Sequence, residues 1–274
     1  MLNEPGKAPS STSYMWLYRT GRDAERHIII FEYQPSRSHV HPKNFLRGFK
    51  GLLHADGYDA YRLLPNVTVV GCWAHLRRKM MDALKVIPAE HRPSSIAQKA
   101  LDKIGYLFHL EDVWRHLDSE KRQELRLSKS KPLAEEFFAW LEKQNILPKS
   151  ATGRAVGYAL EQRKWLMNVY LDWRTELSNN RIENNVRPLA LGRKNWLFSA
   201  TEDGANASAI VFSLIETAKA NGLKPFEYLE FLFETLPNAT SNAIDSLLPW
   251  GEAVPSRCRM PLAIGGAACR EKVG

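Results

Sequence analysis

A chain of 274 residues, 44% apolar and 25% charged, has the composition of an ordinary water-soluble globular protein and the length to bury one large core or two smaller ones. Its net charge of +8 and isoelectric point near 9.4 lean toward an anionic partner such as nucleic acid, although a merely basic soluble protein has the same balance. Three cysteines make no disulfide framework, no apolar run approaches the roughly 20 residues that cross a bilayer, and the first residues lack the basic and apolar regions of a signal peptide, so secreted and membrane classes are set aside for a cytoplasmic one.

Residues 1–12 are rich in Pro, Gly and Ser and read as a loop. The aromatic and β-branched runs 13–19 and 27–33, separated by Thr20-Gly21-Arg22-Asp23, read as a hairpin. A short helix is expected over 41–49, with Pro42 in its first turn. Strand-type runs at 51–55 and 67–72 enclose a segment, 58–64, long enough only for a brief helix. This order of elements is an α/β pattern. From Ala74 the apolar period becomes helical, first to about Pro88, then over 94–117, 132–144 and 152–173. The stretch 91–175 holds no convincing strand and reads as an all-helical insertion. It is flanked by an N-terminal α/β part, 1–90, and by a segment 176–204. A strong amphipathic helix is expected over 203–221, stopped by Gly222, and Pro225 opens another that reaches Leu236. These make a C-terminal helical element, 205–250. The residues from 251 to 274 lose periodicity and read as a disordered or foreign tail.

Two carboxylates stand out. Asp56 closes the apolar run 52–55 just before Gly57, where a strand hands over to a loop, and ligands of open α/β sheets gather at the carboxyl ends of strands. A cap of the following helix is its competing reading, and Asp59 competes for either job. Glu183 falls in the opening turns of a helix capped by Ser178, where an acid also complements the helix dipole. Asn180, Asn184 and Arg187 share its face. Asparagines are poor helix-interior residues, and contacts to phosphate and sugar give such a run another purpose. Pro188 is expected to kink or end this helix. Carboxylates from separate segments can converge on Mg²⁺, which prefers hard oxygen ligands, and two-metal phosphoryl transfer is built in this way.

Cys72 and His75 have C-x-x-H spacing without a second pair nearby, which favours a structural role at a strand–helix junction over zinc. Arg77, Arg78 and Lys79 follow at once. Three cations in the first turns of a helix oppose its dipole and fit a phosphate backbone, a solvated basic face being the alternative. Arg181, Arg193 and Lys194 extend the same basic character, and Trp196 beside the last pair is a candidate for stacking on a base. No phosphate-binding loop, dinucleotide fingerprint or nucleophile elbow is present.

Taken together, His54-Ala55-Asp56-Gly57-Tyr58-Asp59-Ala60-Tyr61, Gly71-Cys72-Trp73-Ala74-His75 with Arg77-Arg78-Lys79, and Asn180-Arg181-Ile182-Glu183-Asn184 with Arg187-Pro188 resemble the insertion-sequence-66 family of bacterial transposases. So do Gly192-Arg193-Lys194-Asn195-Trp196-Leu197-Phe198 and the run from Ser213 to Gly222. The resemblance covers about residues 10–250. It implies an RNase H-like core of the Asp-Asp-Glu type, interrupted by the helical insertion. Asp56 would be the second catalytic Asp and Glu183 the catalytic Glu, both of them ligands of Mg²⁺, with Mn²⁺ as a substitute. The basic and Asn residues named above would bind DNA, both element ends and target, for cleavage and strand transfer. Self-association with transposase subunits and a nucleoid location in the bacterial cytoplasm follow from the same resemblance.

One departure shapes the expectation. In that family the first catalytic Asp belongs on the opening strand of the core, ahead of 13–16, yet no Asp precedes Asp23, which falls in the hairpin turn. The chain is therefore expected to lack the first strand of the core and to be catalytically inactive as it stands. A non-catalytic DNA-binding or transposase-binding remnant is the competing function. A nuclease that recruits Asp59 or Glu202 as substitute acid is a third.

Overall fold

The computed structural model describes residues 12–196, 199 and 201–261. They fall into two compact units: a larger one of 21–23 and 34–190, and a smaller one of 12–20, 24–33 and the described residues from 191 onward. These units cut across the sequence blocks. The first hairpin belongs with the C-terminal helices, and the all-helical stretch shares a unit with the strand that carries Asp56.

In the smaller unit, β1 (Tyr14–Arg19) and β2 (Ile29–Gln34) pair in a two-stranded sheet. Their link is too short for a parallel crossover and closes with Thr20 N–H donating to Ile28 O at 3.0 Å, as a hairpin requires. Alternation buries Ile29, Phe31 and Tyr33 on one face of β2.

Further along the chain, helix α8 (Glu202–Ala220) lies along β2 and satisfies its backbone with side chains. The Ile29 N–H donates to Thr217 Oγ1 at 3.0 Å, and that hydroxyl donates back to Ile29 O at 3.0 Å. Phe31 N–H donates to Ser213 Oγ at 2.8 Å, and Asn221 Nδ2 donates to His27 O at 2.6 Å. The match is geometric. Four helical residues rise about 6 Å, and two strand residues advance about 6.6 Å. Polar residues at 213, 217 and 221 thus stay in step with 31, 29 and 27. A strand edge that would otherwise invite another chain is covered in this way.

Gly222, with φ +73°, ends α8 in a conformation that L residues avoid. Pro225 then opens α9 (Pro225–Thr235) at its first position, where a missing N–H costs nothing. The short α10 (Ile244–Leu247) completes a core of Leu223, Tyr228, Phe231, Leu232 and Leu247. The expectation of a disordered tail from 251 is corrected as far as 261. Val254 and Cys258 are buried in this core, Lys224 N–H donates to Cys258 O at 2.7 Å, and Met260 N–H donates to Gly222 O at 2.7 Å. A segment without periodicity can still be ordered when its backbone pairs with the turn between two helices. Residues 262–274 lie outside the described residues.

The larger unit holds α1 (Val40–Phe45), then β3 (Gly51–His54) and β4 (Val67–Val70), which pair in parallel with Gly51 opposite Val67 and His54 opposite Val70. The 3₁₀ turn Asp59–Leu63 stands where a brief helix is expected. Four helices pack on one another, α2 (Trp73–Lys85), α3 (Ile96–Val113), α5 (Lys131–Glu142) and α6 (Ala151–Met167), and α6 lies against β4. Between α3 and α5 the chain also forms α4 (Ser119–Leu125) and a single π-helical turn, Arg126–Ser130, neither of which the polar sequence there suggests. One core runs through all of it, from Val70, Trp73 and Leu76 to Phe137, Phe138, Ala159 and Leu166. Trp73 is its centre: fully buried, 5.8 and 5.6 Å from the rings of Phe137 and Phe138, with Nε1 donating to Leu166 O at 3.1 Å. The helical stretch is thus part of the unit that carries β3 and β4, not an appended domain.

Gly71 explains how β4 meets α6. Its N–H donates to Trp165 O at 2.8 Å, and a Cβ there would lie 3.0 Å from Leu166 N. Helix α7 (Asn180–Trp196) then carries the chain from the larger unit into the smaller. It begins after Asn179, one residue beyond the expected Ser178 cap. It also continues through Pro188 rather than ending there, which leaves a kink as the alternative of the expectation. A proline there frees the carbonyl four residues back, which belongs to the exposed Asn184.

Candidate functional site

The parallel pair β3–β4 sets the frame. Asp56 lies two residues past the carboxyl end of β3, and Cys72 two residues past that of β4, where the chain turns into α2. His75 and Arg78 stand on the first turns of α2. Glu183 stands on the first turn of α7. Its two carboxylate oxygens are both engaged: Oε1 lies 3.4 Å from His75 Nε2, and Oε2 accepts from the Arg78 guanidinium at 3.2 Å. Two segments more than a hundred residues apart are joined by these contacts.

Cys72 ties the same two segments. Its Sγ accepts the Asn179 N–H at 3.4 Å, and Leu177 O accepts the Trp73 N–H at 2.8 Å. Burial pushes the Cys72 thiol up from its ordinary pKa, with the Glu183 charge acting in the same direction. A thiol so held stays protonated at neutral pH.

Asp56 does not cap a helix. Its Oδ1 accepts the Tyr58 N–H at 3.0 Å in a local turn, and the residue at the start of the 3₁₀ turn is Tyr58, without a side-chain cap. The loop beyond it is docked on α6: the Arg62 guanidinium lies 3.5 Å over the Trp165 ring and donates to Gln162 Oε1 at 2.7 Å. Asp59, the competitor, is exposed and paired with Arg62 at 2.6 Å. Glu202 belongs to the first turn of α8, in the smaller unit.

Several groups around Asp56 carry no sequence signal. Burial pushes the Tyr61 phenol up to about 12, and the Asp56 charge adds to the shift. Tyr158 on α6 is raised by burial too, with Cys72 and Asp56 contributing. Both phenols are therefore neutral hydrogen-bond donors at physiological pH. His54 is held near pKa 4 by burial, so it is an uncharged imidazole, and its Nε2 is buried without a partner. His75 Nδ1 and Asn179 Oδ1 are buried and unpartnered as well. Tyrosines and histidines of this kind are indistinguishable in sequence from core residues.

The expected DNA contacts divide. Arg77, Lys79, Asn180, Asn184 and Arg187 are exposed. The Lys79 ammonium lies 5.8 Å over the Tyr158 ring. Arg78 is spent on Glu183, and Arg181 approaches Glu176 at 3.6 Å. Arg193 and Lys194 belong to the last turn of α7, and their side chains, like that of Trp196, lie outside the described residues.

The donor chemistry suits a hard divalent cation in part. Asp56 offers carboxylate oxygens past the carboxyl end of β3, and Glu183 offers them beside the first turns of α2; hard oxygens of this kind suit Mg²⁺, with water able to complete its shell. Glu183 would have to exchange Arg78 for the cation. Among the described residues no group of three or more His, Cys, Asp and Glu stands together for a metal. No helix among them is long and apolar enough to cross a membrane.

Comparison with known proteins places these observations. The family model described as transposase IS66 family matches residues 1–207, and that of the IS66 C-terminal element matches residues 213–250. Similar curated proteins come from Sinorhizobium fredii (strain NBRC 101917 / NGR234). Uncharacterized protein y4qI is 32% identical over 268 residues, covering 90% of this chain and 48% of its own length. Uncharacterized protein y4jD is 28% identical over 266 residues, covering 90% of this chain and 51% of its own. The chain thus spans about half the length of the curated relatives it matches. No solved structure matches it.

Proposed function

The chain belongs to the IS66 family of transposases, and from that premise we propose that it carries two carboxylates, Asp56 and Glu183, of an RNase H-like strand-transfer site, together with the DNA surface beside them. The observation that carries this reading is the meeting of Glu183 with the first turns of α2, at the end of the sheet where β3 delivers Asp56. A parallel strand pair followed by a helix, with an acid just past the strand, supports the RNase H-like assignment. Asp56 and Glu183 would hold Mg²⁺, or Mn²⁺ in its place. Bound there, the cation would activate the attacking oxygen and stabilise the leaving oxygen of a phosphodiester.

The chain's own residues have separate tasks. Arg77, Lys79 and Arg187 are exposed cations that would follow the phosphate backbone, and Asn180 and Asn184 would donate to phosphate and sugar. Arg78 pairs with Glu183 and, being exposed, would also be placed to meet a phosphate. The Asp56 carboxylate is held by the Tyr58 N–H, and its charge is felt by the neutral phenols of Tyr61 and Tyr158.

A second reading has its own support. Asp56 and Glu183 are fewer carboxylates than a two-metal site uses, and no third acid joins them among the described residues. On that reading the 274-residue chain binds DNA, or intact transposase subunits, without cutting. One assay separates the two. Salt-dependent DNA binding is expected in both cases. Mg²⁺-dependent nicking or joining that is abolished by Glu183→Gln establishes the catalytic reading, and binding without cleavage establishes the second. Binding with no salt dependence would remove both.

A further inference from the structure

The π-helical turn Arg126–Ser130 lies far from Glu183 in sequence, yet nearly every polar group around it is directed at the chain that leads to Glu183. Arg126 is 2% exposed and finds an acceptor for each of its five N–H groups. Nε donates to Glu111 Oε1 at 2.6 Å and one terminal nitrogen donates to Glu111 Oε2. The remaining donors reach main-chain carbonyls: Asp172 O at 3.4 Å, Trp173 O at 3.0 Å and Thr175 O at 2.9 Å. One turn earlier, Arg122 donates to Trp173 O at 3.2 Å and lies 5.0 Å over the Trp173 ring. Gln123 donates to Tyr170 O at 3.1 Å, and the Ser130 and Tyr170 hydroxyls meet at 2.9 Å.

From that grip the chain has little slack. Thr175 Oγ1 donates to Val169 O and Asp172 O, which folds the turn on itself. Leu177 and Asn179 are then fastened to the start of α2 through Trp73 N–H and Cys72 Sγ. Next, Asn179 O accepts the N–H groups of Ile182 and Glu183 at 3.0 and 3.2 Å, which is the first turn of α7. Residues 170–183 are therefore held by the π turn at one end and by α2 at the other.

We propose that Arg126 is a positioning residue for Glu183, acting through the carbonyls of Asp172, Trp173 and Thr175. The helical stretch between the strands and α7 thereby sets the geometry of the acid rather than only adding core. A lysine could keep the charge opposite Glu111 but not the planar five-donor fork that three carbonyls and a carboxylate require. This inference takes the importance of Glu183 from the function proposed above, but its geometric content is tested separately.

The test is hydrogen exchange by backbone amides in the 274-residue chain. Arg126→Met alone would strand the half-buried Glu111 and could unfold the unit, so two milder variants are used: Arg126→Lys, and Arg126→Met combined with Glu111→Leu. In both, the amides of residues 179–184 are expected to exchange about tenfold faster or more, while amides of α2, α3 and α5 keep their protection. Lys103→Ala, which breaks a surface pair with Glu136 in the same unit, is expected to leave residues 179–184 unchanged. Unchanged exchange at 179–184, or an equal rise across the whole unit, would overturn the proposal. If exchange responds as expected while Glu183→Gln leaves every DNA reaction intact, the positioning stands and only the catalytic reading of Glu183 falls.

Discussion

The two units each build on a two-stranded sheet but surround it with different polar groups. In the smaller unit, β2 is closed by Ser213, Thr217 and Asn221 of α8, which satisfy backbone donors and acceptors one after another. In the larger unit, polar atoms of His54, His75 and Asn179 remain buried and unpartnered around the carboxyl ends of β3 and β4. The lesson is that motif residues of equal prominence in a sequence do different work. The run from Ser213 to Asn221 is a structural ladder, whereas the segments around Asp56 and Glu183 carry the proposed site.

The contrast can be broken or sharpened by substitution. The largest effect is expected at Trp73→Ala, which empties the centre of the larger core and should cost about 3–5 kcal/mol, read by denaturant unfolding. Loss confined to that unit would agree with two separate cores, and equal loss in both would deny it. A pH effect of somewhat smaller size concerns Tyr170, whose phenol is pushed up to about 12 by burial, with the nearby Glu111 charge adding to the shift. Because the folded value lies above the ordinary 10, its contribution is complete below pH 10 and disappears as pH rises toward 12. At roughly 1.4 kcal/mol per pH unit this amounts to about 2–3 kcal/mol at most. Tyr170→Phe should flatten the fall in stability over that window relative to the parent chain, and an unchanged slope would count against it.

Thr217→Val removes the hydroxyl that serves both Ile29 N–H and Ile29 O and should destabilise the smaller unit by about 1–3 kcal/mol. Little or no loss would mean that water replaces the ladder without penalty. The smallest stability effect is expected at Arg77→Gln and Lys79→Gln, within about 0.5 kcal/mol as for other exposed positions. Yet each should lower the slope of DNA affinity against salt by about one. Thermal shifts larger than those at the surface, or an unaltered salt slope, would show that these cations serve the fold rather than DNA.

Much of the site was legible in order but not in contact. Asp56 is readable as a strand-end acid because a short apolar run ends at Gly57, and Glu183 because asparagines and arginines crowd an otherwise poor helix. Tyr61, Tyr158 and His54 were not legible, since burial, not spacing, sets their charge state. Nor was the role of Arg78, which looks like its neighbours Arg77 and Lys79 until the fold brings Glu183 beside it. The tail from 251 was misread for a related reason. Arg259 in it makes a bridge to Leu223, a contact that leaves no period in the sequence.

By itself the amino-acid sequence determined the strands, most of the helices and the change of period after Ala74, because these depend on neighbours one to four residues apart. Tertiary structure alone decided which pieces share a core, which arginines are spent inside the protein, and how a π turn at Arg126 comes to hold the approach to Glu183. Those outcomes depend on groups separated by tens to hundreds of residues. No local pattern records them, and only close packing and the pairing of buried polar groups bring them about.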